Sequence, residues 1–455
     1  MPDNAWGRRA VLRTAGVIGA SMVGGLIVGA ETTKGMLSAP ARAVTSPDDG
    51  YLPQAPSRPR STGFTILTRF QASHGWRTSP GSRTRADLND TTDYALGTQS
   101  LSLTTSAAGG TSGVDSPRYS SAVDLRHKTL RVLVKIDGVA DLENFRLYAG
   151  DADFRNFRPY PLYLNERRTA ASYVKDGAWT WVTLNGACGV AIGDGGLPVS
   201  RWRLTTSSLP GRRVTVHVNA VEYGPAPMTF PRGVVSICFD DGLLSPFRNA
   251  KPKLDQYGWA ASEYPIVDRI ASSDDGSHLT IAQLRECQEV SGWEIGLHSM
   301  TLADHDAGFD TLTLGEIRAN LMADRRWLQQ NDLGYGEGFA WPLGAFSLSA
   351  MKSAAPLCSY GRLNTTRTLE TWPPADTMRI RSAANTDSAG RMISMVDETK
   401  ASRSWLCLTF HEITPDGSGL HACRTETFNK VMDYIAAQRL EVLPMIEVLK
   451  KGEAT

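Results

Sequence analysis

The sequence predicts two domains of different fold class. Residues 63–228 are predicted to form an all-β sandwich or jelly roll, because short segments such as "KTLRVLVKI" alternate apolar with polar residues between turn-forming residues. Residues 229–455 are predicted to form an α/β deformed (β/α) barrel, because continuous apolar runs such as "GVVSICF" alternate with helix-like stretches. A chain of 455 residues is long enough for both domains and a leader.

The first 43 residues are predicted to be an export signal. Paired Arg8 and Arg9 precede an apolar stretch, residues 15–30, and an "APARA" segment that ends in an Ala-x-Ala cleavage pattern. This stretch resembles a twin-arginine signal peptide, so we expect a secreted or cell-envelope-associated protein. A retained anchor is the alternative, but ~16 apolar residues fall short of the ~20 that span a bilayer. Residues 44–62 are rich in Pro and Ser and are predicted to be a linker.

Composition argues against several classes of partner. The formal net charge is +1 and charges of both signs are mixed along the chain, which argues against nucleic acid as a partner. No segment after residue 43 has membrane-spanning length, so we expect no membrane span in the mature chain. The six cysteines lack zinc-finger spacing, although one disulfide, such as Cys358 with Cys423, is left open. The sequence does not indicate an oligomeric state.

The apolar runs of the second half end in polar residues of the kind that do chemistry. Four titratable residues stand at these ends: Asp240, Asp241, His298 and His411. An α/β barrel places its catalytic groups at the carboxyl ends of its strands, so we expect these side chains to share one site. The Asp-Asp-Gly triplet recurs at 48–50 and 274–276 without a preceding strand, which predicts solvated turns there. Three other histidines have no such neighbours and are predicted to be structural: His217, His278 and His421.

Four stretches of the second half resemble the polysaccharide deacetylase family, the NodB-homology domain of carbohydrate esterases. In order, they are "CFDDG" (238–242), "HSMTLADH" (298–305), "FAWPLGAF" (339–346) and "LTFH" (408–411). The third stretch resembles the form that this motif takes in the exported polyglucosamine-deacetylase-like branch of the family. The resemblance covers roughly residues 231–450 and does not include the β half.

The resemblance implies a divalent metal site, most often zinc, and a role for each matching residue. Asp241 and His298 would be metal ligands, Asp240 the general base that activates a water, and His411 the general acid for the leaving group. These residue types suit the reaction, because a catalytic zinc takes three N or O ligands, leaves one position for water and lowers the pKa of that water.

The third metal ligand is less well defined by the sequence. The family's second histidine normally follows the first by four or five residues, whereas the next histidine here is His305, seven residues on. The segment "LADHDAGFD" has loop composition, and a loop would let His305 approach the ion. We therefore predict His305 as the third ligand, with Asp304 or Asp306 as alternatives and a weakened or absent metal site as the remaining one.

The third motif is predicted to supply the oxyanion and substrate loop: Trp341, Pro342 and Leu343. Family members often carry an arginine two residues before this proline, where it braces the base aspartate, but the chain has Ala340 there. Arg379 or Arg381 could brace Asp240 instead. Leu343 replaces a frequent aromatic residue, but its backbone N–H can still serve as an oxyanion donor.

Together these observations predict an exported, metal-dependent polysaccharide deacetylase that acts on N-acetyl groups of an amino-sugar glycan. One alternative is an O-acetyl esterase acting on xylan or a similar glycan. A further alternative is a non-catalytic glycan-binding surface protein with a degenerate barrel. In the β half, core packing is favoured over sugar stacking for a set of aromatic residues, and carbohydrate binding there is a hypothesis: Trp76, Tyr160, Tyr163, Trp179, Trp181 and Trp202.

Overall fold

A computed structural model of the protein describes residues 63–125, 127–163, 173–184, 198–272, 276–334, 336–365, 369–384, 388–419 and 421–453. The predicted signal peptide, residues 1–43, and the predicted linker, residues 44–62, lie outside the described residues. Within the described part of the chain, no helix is both long enough and apolar enough to cross a membrane.

The N-terminal β region consists of eleven described strands in two antiparallel sheets. The strands are β1 (Thr65–Thr68), β2 (Arg77–Thr78), β3 (Asp87–Asp90), β4 (Ser100–Thr104), β5 (Ser112–Asp115), β6 (Lys128–Asp137), β7 (Leu142–Gly150), β8 (Phe157–Tyr163), β9 (Thr180–Leu184), β10 (Arg201–Ser208) and β11 (Thr215–Pro225). One sheet has the order β3-β4-β11-β6-β9, with β1 also paired to β11, and the other has the order β2-β5-β10-β7-β8.

Alternation along the strands sends successive apolar side chains to opposite faces of the sheet. In β6, Leu130, Val132, Val134 and Ile136 belong to the main apolar core, whereas Leu133 packs on the opposite face with Trp181. Of the aromatic residues expected to fill the core, three belong to the main apolar core: Trp76, Tyr160 and Trp202. Trp181 is buried as well, but in the separate cluster on the opposite face of β6. The Trp179 side chain is half-buried.

The C-terminal region alternates strands with helices. Its strands are β12 (Val234–Asp241), β13 (Ser262–Pro265), β14 (Glu294–Ile295), β15 (Gly338–Ala340), β16 (Tyr360–Arg362), β17 (Ala383–Ala384), β18 (Trp405–Phe410), β19 (Ile413–Thr414), β20 (Cys423–Arg424) and β21 (Glu441–Val442). Its helices are α1 (Leu244–Asn249), α2 (Lys251–Gln256), α3 (Val267–Ser272), α4 (Ile281–Ser291), α5 (Leu302–Ala307), α6 (Leu314–Gln330), α7 (Leu348–Ala354), α8 (Ala389–Ser402), α9 (Thr425–Gln438) and α10 (Met445–Glu453).

Parallel pairing closes seven of these strands into a ring. The sheet order β14-β13-β12-β18-β17 forms one arc, and β15 pairs with β16 in parallel. Parallel bridges join the two parts, from Leu297 to Phe339 on one side and from Thr365 to Ala383 on the other. The result is an irregular α/β barrel. Its strands are apolar on both faces, as β12 shows, because the interior and the surrounding helices cover them.

Polar contacts fix the β region against the barrel. The Arg381 guanidinium donates to the backbone carbonyl of Thr183 over 2.9 Å and to Glu370, and all three residues are buried. The Thr371 hydroxyl donates to the Thr183 hydroxyl over 2.6 Å. Because these groups are removed from water, their partners must remain in place, which disfavours independent movement of the two regions.

The disulfide that the sequence left open is not formed. Cys358 and Cys423 are both buried, and no disulfide joins them to each other. They therefore act as small apolar residues of the barrel core.

Candidate active site

Asp240 and Asp241 are the last two residues of the central strand β12. Asp240 is buried, and Asp241 has a left-handed backbone with φ of 72°. The following Gly242 also has positive φ, and a Cβ atom there would lie 2.8 Å from Ile270 and 3.0 Å from Pro265. The abrupt turn therefore requires glycine, and it directs the two carboxylates to different partners.

His298 lies just beyond β14, and its ring orientation is set by the backbone. Its Nδ1 lies 2.8 Å from the carbonyl oxygen of Ala340, which can only accept, so Nδ1 carries the proton and Nε2 is left as an electron-pair donor. That Nε2 lies 3.3 Å from Asp241 Oδ1. Burial would lower the pKa of His298, but the neighbouring Asp241 and Asp240 carboxylates and the Ala340 carbonyl together raise it.

His305 reaches the same place from helix α5, not from the loop that its composition predicted. Its segment is helical because the Thr301 hydroxyl caps the first turn by accepting from the Asp304 N–H. The chain bends at Met300 before the helix begins, and the two rings meet despite the seven-residue spacing, with centroids 4.9 Å apart. His305 Nδ1 contacts Asp306 over 2.9 Å, and Nε2 lies 3.5 Å from Asp241 Oδ1.

The donor atoms of Asp241, His298 and His305 all lie within 4.8 Å of one another. Asp241 Oδ1 is buried and has no hydrogen-bond partner among the described residues, as expected of a carboxylate oxygen that ligates a cation. Burial alone would raise the pKa of Asp241, but interaction with His298 and charge on the nearby histidines hold it well below its usual range. The donor set of two imidazoles and one ionised carboxylate therefore fits a divalent metal such as zinc.

The alternative ligands are otherwise engaged. Asp304 accepts a 2.6 Å hydrogen bond from the side-chain amide of Asn320. The Asp306 side chain is 65 % exposed and holds the far side of the His305 ring. Of the three residues considered for the third ligand, His305 is the one whose donor atom joins the group.

A second group of potential donors in the β region consists of Asp93, Asp137 and His217. The ammonium of Lys135 is paired with both carboxylates, and His217 Nδ1 contacts Asp90 over 2.9 Å. Because the lysine already supplies positive charge at the cluster, its geometry is that of a partly buried polar network, the kind of structural role predicted for His217.

Arg362, at the end of β16, braces Asp240. Its guanidinium is fully buried, donates to Asp240 Oδ1 and lies 5.2 Å from the Tyr264 ring centroid. The assignment of this role to Arg379 or Arg381 is wrong. Arg379 pairs with Asp376, and Arg381 pairs with Glu370 at the contact with the β region.

His411 lies just beyond β18, with Nε2 3.9 Å from Asp240 Oδ2. Its Nδ1 is buried and has no hydrogen-bond partner among the described residues. His421, which the sequence analysis set apart from the site, lies beside it with the ring centroids 5.3 Å apart. Strand β19 lies between the two histidines in the chain, and their separation in sequence does not reveal that the rings meet.

The third motif divides between the core and the surface. The Trp341 ring is buried, and its N–H donates to the Met378 carbonyl over 2.8 Å. Pro342 is also buried, whereas the Leu343 side chain is 54 % exposed and its φ is 56°. A large non-glycine residue with positive φ carries backbone strain that the surrounding turn must support, and such strain concentrates at functional loops.

Two buried carboxyl groups that the sequence analysis did not identify support the site. Asp324 on α6 accepts the His298 N–H over 3.1 Å, and burial raises its pKa to about 7. Glu263 on β13 accepts the Gly242 N–H over 3.2 Å. Burial, together with the charges of the Asp240 and Asp241 carboxylates, raises the pKa of Glu263 well above its usual range. Both hold the backbone beside a predicted ligand.

Three solved structures are similar to this chain at low identity. The Xyl-CE4 domain of a multidomain xylanase from the hindgut metagenome of Trinervitermes trinervoides is 15 % identical, with 48 % of this chain and 91 % of that chain covered and a TM-score of 0.35. A family 4 acetyl xylan esterase from Clostridium thermocellum, in complex with a cobalt ion, is 18 % identical. The likeness covers 48 % of this chain and 90 % of that chain, with a TM-score of 0.35.

The third structure is the Streptococcus pyogenes deacetylase PplD in complex with acetate, which is 19 % identical. The likeness covers 36 % of this chain and 69 % of that chain, with a TM-score of 0.30. With TM-scores below 0.5, these likenesses do not establish the fold, which rests on the strand pairing described above. A comparison of the sequence with curated proteins found no match.

Residues 228–357 match the family model described as "Polysaccharide deacetylase". The matched segment includes β12 with both aspartates, the two histidines of the donor group and the Trp341 loop. The chain therefore carries a polysaccharide deacetylase domain, the NodB-homology domain of the carbohydrate esterases.

Proposed function

We propose that the protein is an exported, metal-dependent deacetylase that hydrolyses N-acetyl groups of an amino-sugar polysaccharide. The observation that supports this most directly is the convergence of the Asp241, His298 and His305 donor atoms within 4.8 Å of one another, next to the braced carboxylate of Asp240. A metal site beside a separate, unligated base is what acetyl hydrolysis by an activated water requires.

The metal we propose is Zn²⁺, held by Asp241 and by Nε2 of His298 and His305. When bound, such an ion lowers the pKa of a water and polarises the acetyl carbonyl. Asp240 takes a proton from the attacking water, with Arg362 holding its other oxygen in place. The backbone N–H of Leu343 stabilises the negative charge that develops on the acetyl oxygen.

His411 protonates the leaving nitrogen, and this step favours an amide substrate. An amine leaves as a neutral group only if it gains a proton, so amide hydrolysis depends on a general acid more strongly than ester hydrolysis does. His411 lies on the Asp240 side of the site, 3.9 Å from that carboxylate, which suits transfer of a proton between attacking water and leaving group.

Export and the accessory role of the β region belong to the same proposal. The twin-arginine-type signal would deliver the protein to the cell envelope or beyond, where polysaccharide is accessible. We propose that the β region is a sandwich of the jelly-roll type. If it contacts sugar through a ring, Trp179 is the residue to examine, because the other described tryptophans of this region are buried.

The test measures acetate released by the zinc-loaded protein from a panel of N-acetylated and O-acetylated glycans. We expect release from an N-acetylated glycan and loss of at least about 100-fold in kcat for Asp240→Asn. Asp433→Asn, on the exposed face of α9, is the matched control and should retain the parent rate. Release from O-acetylated glycans alone would indicate an esterase. No release from any glycan, with metal bound, would leave the glycan-binding alternative.

A further inference from the structure

The β region places one lysine against the loop that carries Leu343. Lys175 precedes β9, and its Nζ lies 3.6 Å from the centroid of the Phe346 ring. An ammonium at this distance from a ring face is attracted by the ring quadrupole, more strongly when both are shielded from water. Phe346 is buried and packs against Trp341, with centroids 5.7 Å apart, at the other end of the same loop.

The carboxylate of Asp310 is the second barrel group that acts on Lys175. Burial lowers the pKa of Lys175 to about 7, although the Asp310 charge opposes this shift. Asp310 follows Gly308, the residue that ends the His305 helix. A Cβ atom at Gly308 would lie 2.9 Å from Asp310 Oδ1 and 3.9 Å from Leu343 Cδ1. Lys175 thus interacts with residues of both segments that border the predicted metal and oxyanion positions.

The segment that carries Lys175 is itself anchored to the barrel. The carbonyl of Tyr173 accepts a 3.2 Å hydrogen bond from Arg379, whose guanidinium lies 5.1 Å from the centroid of the Tyr173 ring. Tyr173 and Val174 are buried. Because the backbone next to Lys175 is already ordered, holding the loop costs the side-chain entropy of the lysine and little further backbone entropy.

From this geometry we propose that Lys175 is a positioning residue for the deacetylase reaction. It fixes the loop from Trp341 to Phe346 so that the Leu343 N–H points at the developing oxyanion, and it thereby makes the β region part of the catalytic unit. The kinetic part of this inference rests on the proposed function, and the conformational part does not.

The experiment compares Lys175→Met with Lys175→Arg and with Lys451→Met as matched control. Lys451 also lies over an aromatic ring, 5.5 Å from the Phe230 centroid, but on helix α10 away from the site. Acetate release is measured at pH 6.5, and backbone hydrogen exchange of residues 341–346 is followed by mass spectrometry on the same full-length proteins.

We expect Lys175→Met to lower kcat by about tenfold with little change in KM, because a displaced oxyanion donor affects the transition state more than the ground state. The Gly344 and Ala345 amides should exchange faster, the Tm should not fall, and Lys175→Arg should restore both properties. Parent-like kcat in Lys175→Met, or a loss of kcat that merely follows a lower Tm, would overturn the proposal.

The exchange measurement separates this inference from the proposed function. If the parent releases no acetate from any glycan, the proposed function fails, and the exchange rates alone decide whether Lys175 holds the loop. Equal exchange of residues 341–346 in the parent and Lys175→Met would overturn the inference even if the parent is an active deacetylase.

Discussion

Arg362 and Asp240 form a buried ion pair that joins two strands on different sides of the barrel ring. Arg362 ends β16 and Asp240 nearly ends β12, and neither side chain is more than 5 % exposed. The pair occupies one oxygen of the carboxylate and leaves the other directed toward His411. The pair therefore holds the carboxylate of the proposed base in one orientation, without help from position 340.

Removing Arg362 should affect stability and activity together. Arg362→Met leaves Asp240 as an uncompensated buried charge, which typically costs about 3 to 5 kcal/mol in the free energy of unfolding. We expect kcat to fall by about 100-fold as well, because the base loses its orientation. Urea unfolding and acetate release measure the two effects.

The matched control is Arg118→Met, which breaks the exposed pair with Asp153 and should cost less than about 1 kcal/mol. The double variant Asp240→Asn with Arg362→Met should regain much of the stability and none of the activity. An active Arg362→Met would show that Asp240 is positioned by another group.

His305→Gln should weaken metal binding by at least about 100-fold, since even groups that only support a ligand contribute 10-fold to 100-fold. His278→Gln is the control, because His278 is also buried but contacts Ser277 and lies outside the donor group. Metal content after dialysis measures the effect. A His305 variant that keeps its metal, while Asp304→Asn loses it, would reassign the third ligand.

Metal binding should also weaken as the pH falls. The pKa of His298 is raised by the Asp241 carboxylate, so a proton competes with the metal for Nε2 at a higher pH than for an ordinary histidine. The metal affinity should therefore be higher at pH 7.5 than at pH 5.5.

The residues at the strand ends were predictable because strand ends share one edge of a barrel. Asp240, His298 and His411 each follow an apolar run, and parallel strands bring such positions together whatever their separation in sequence. The contact of Arg362 with Asp240 was not predictable from strand ends, because it depends on which strands lie opposite each other across the barrel. Its signal was an arginine that follows Tyr360 and Gly361 and precedes Leu363, because a charge that is buried among such residues requires a partner.

Local composition misled the prediction for residues 302–307. Asp304, Asp306 and Gly308 suggested a loop, but the Thr301 side chain caps the start of a helix and Gly308 ends it. The contact of Lys175 with Phe346 had no sequence signal, because it depends on how the β region docks against the barrel.

His411→Gln should distinguish substrates by their leaving group. On an N-acetylated glycan we expect kcat to fall by about 100-fold to 10,000-fold, because the amine can no longer be protonated as it leaves. On 4-nitrophenyl acetate, whose leaving phenolate needs no proton, the loss should be no more than about tenfold. His421→Gln is the comparison, since His421 is the neighbouring imidazole. If the His421 variant shows the larger loss on the amide, His421 is the proton donor.

Glu263→Gln should stabilise the protein at neutral pH. Because burial and the two neighbouring aspartates raise the pKa of Glu263 in the folded state, folding takes up a proton above the pKa of the unfolded state, and the parent loses stability as the pH rises. Glutamine keeps an oxygen that can accept from Gly242 and needs no proton. The variant should therefore have the higher free energy of unfolding at pH 7, with a smaller difference near pH 4, as measured by urea unfolding of metal-free protein.

Glu447→Gln, with its exposed side chain, should stay within about 0.5 kcal/mol of the parent at both pH values. A Glu263→Gln variant that is less stable than the parent at pH 7 would mean that this carboxyl is ionised in the folded protein.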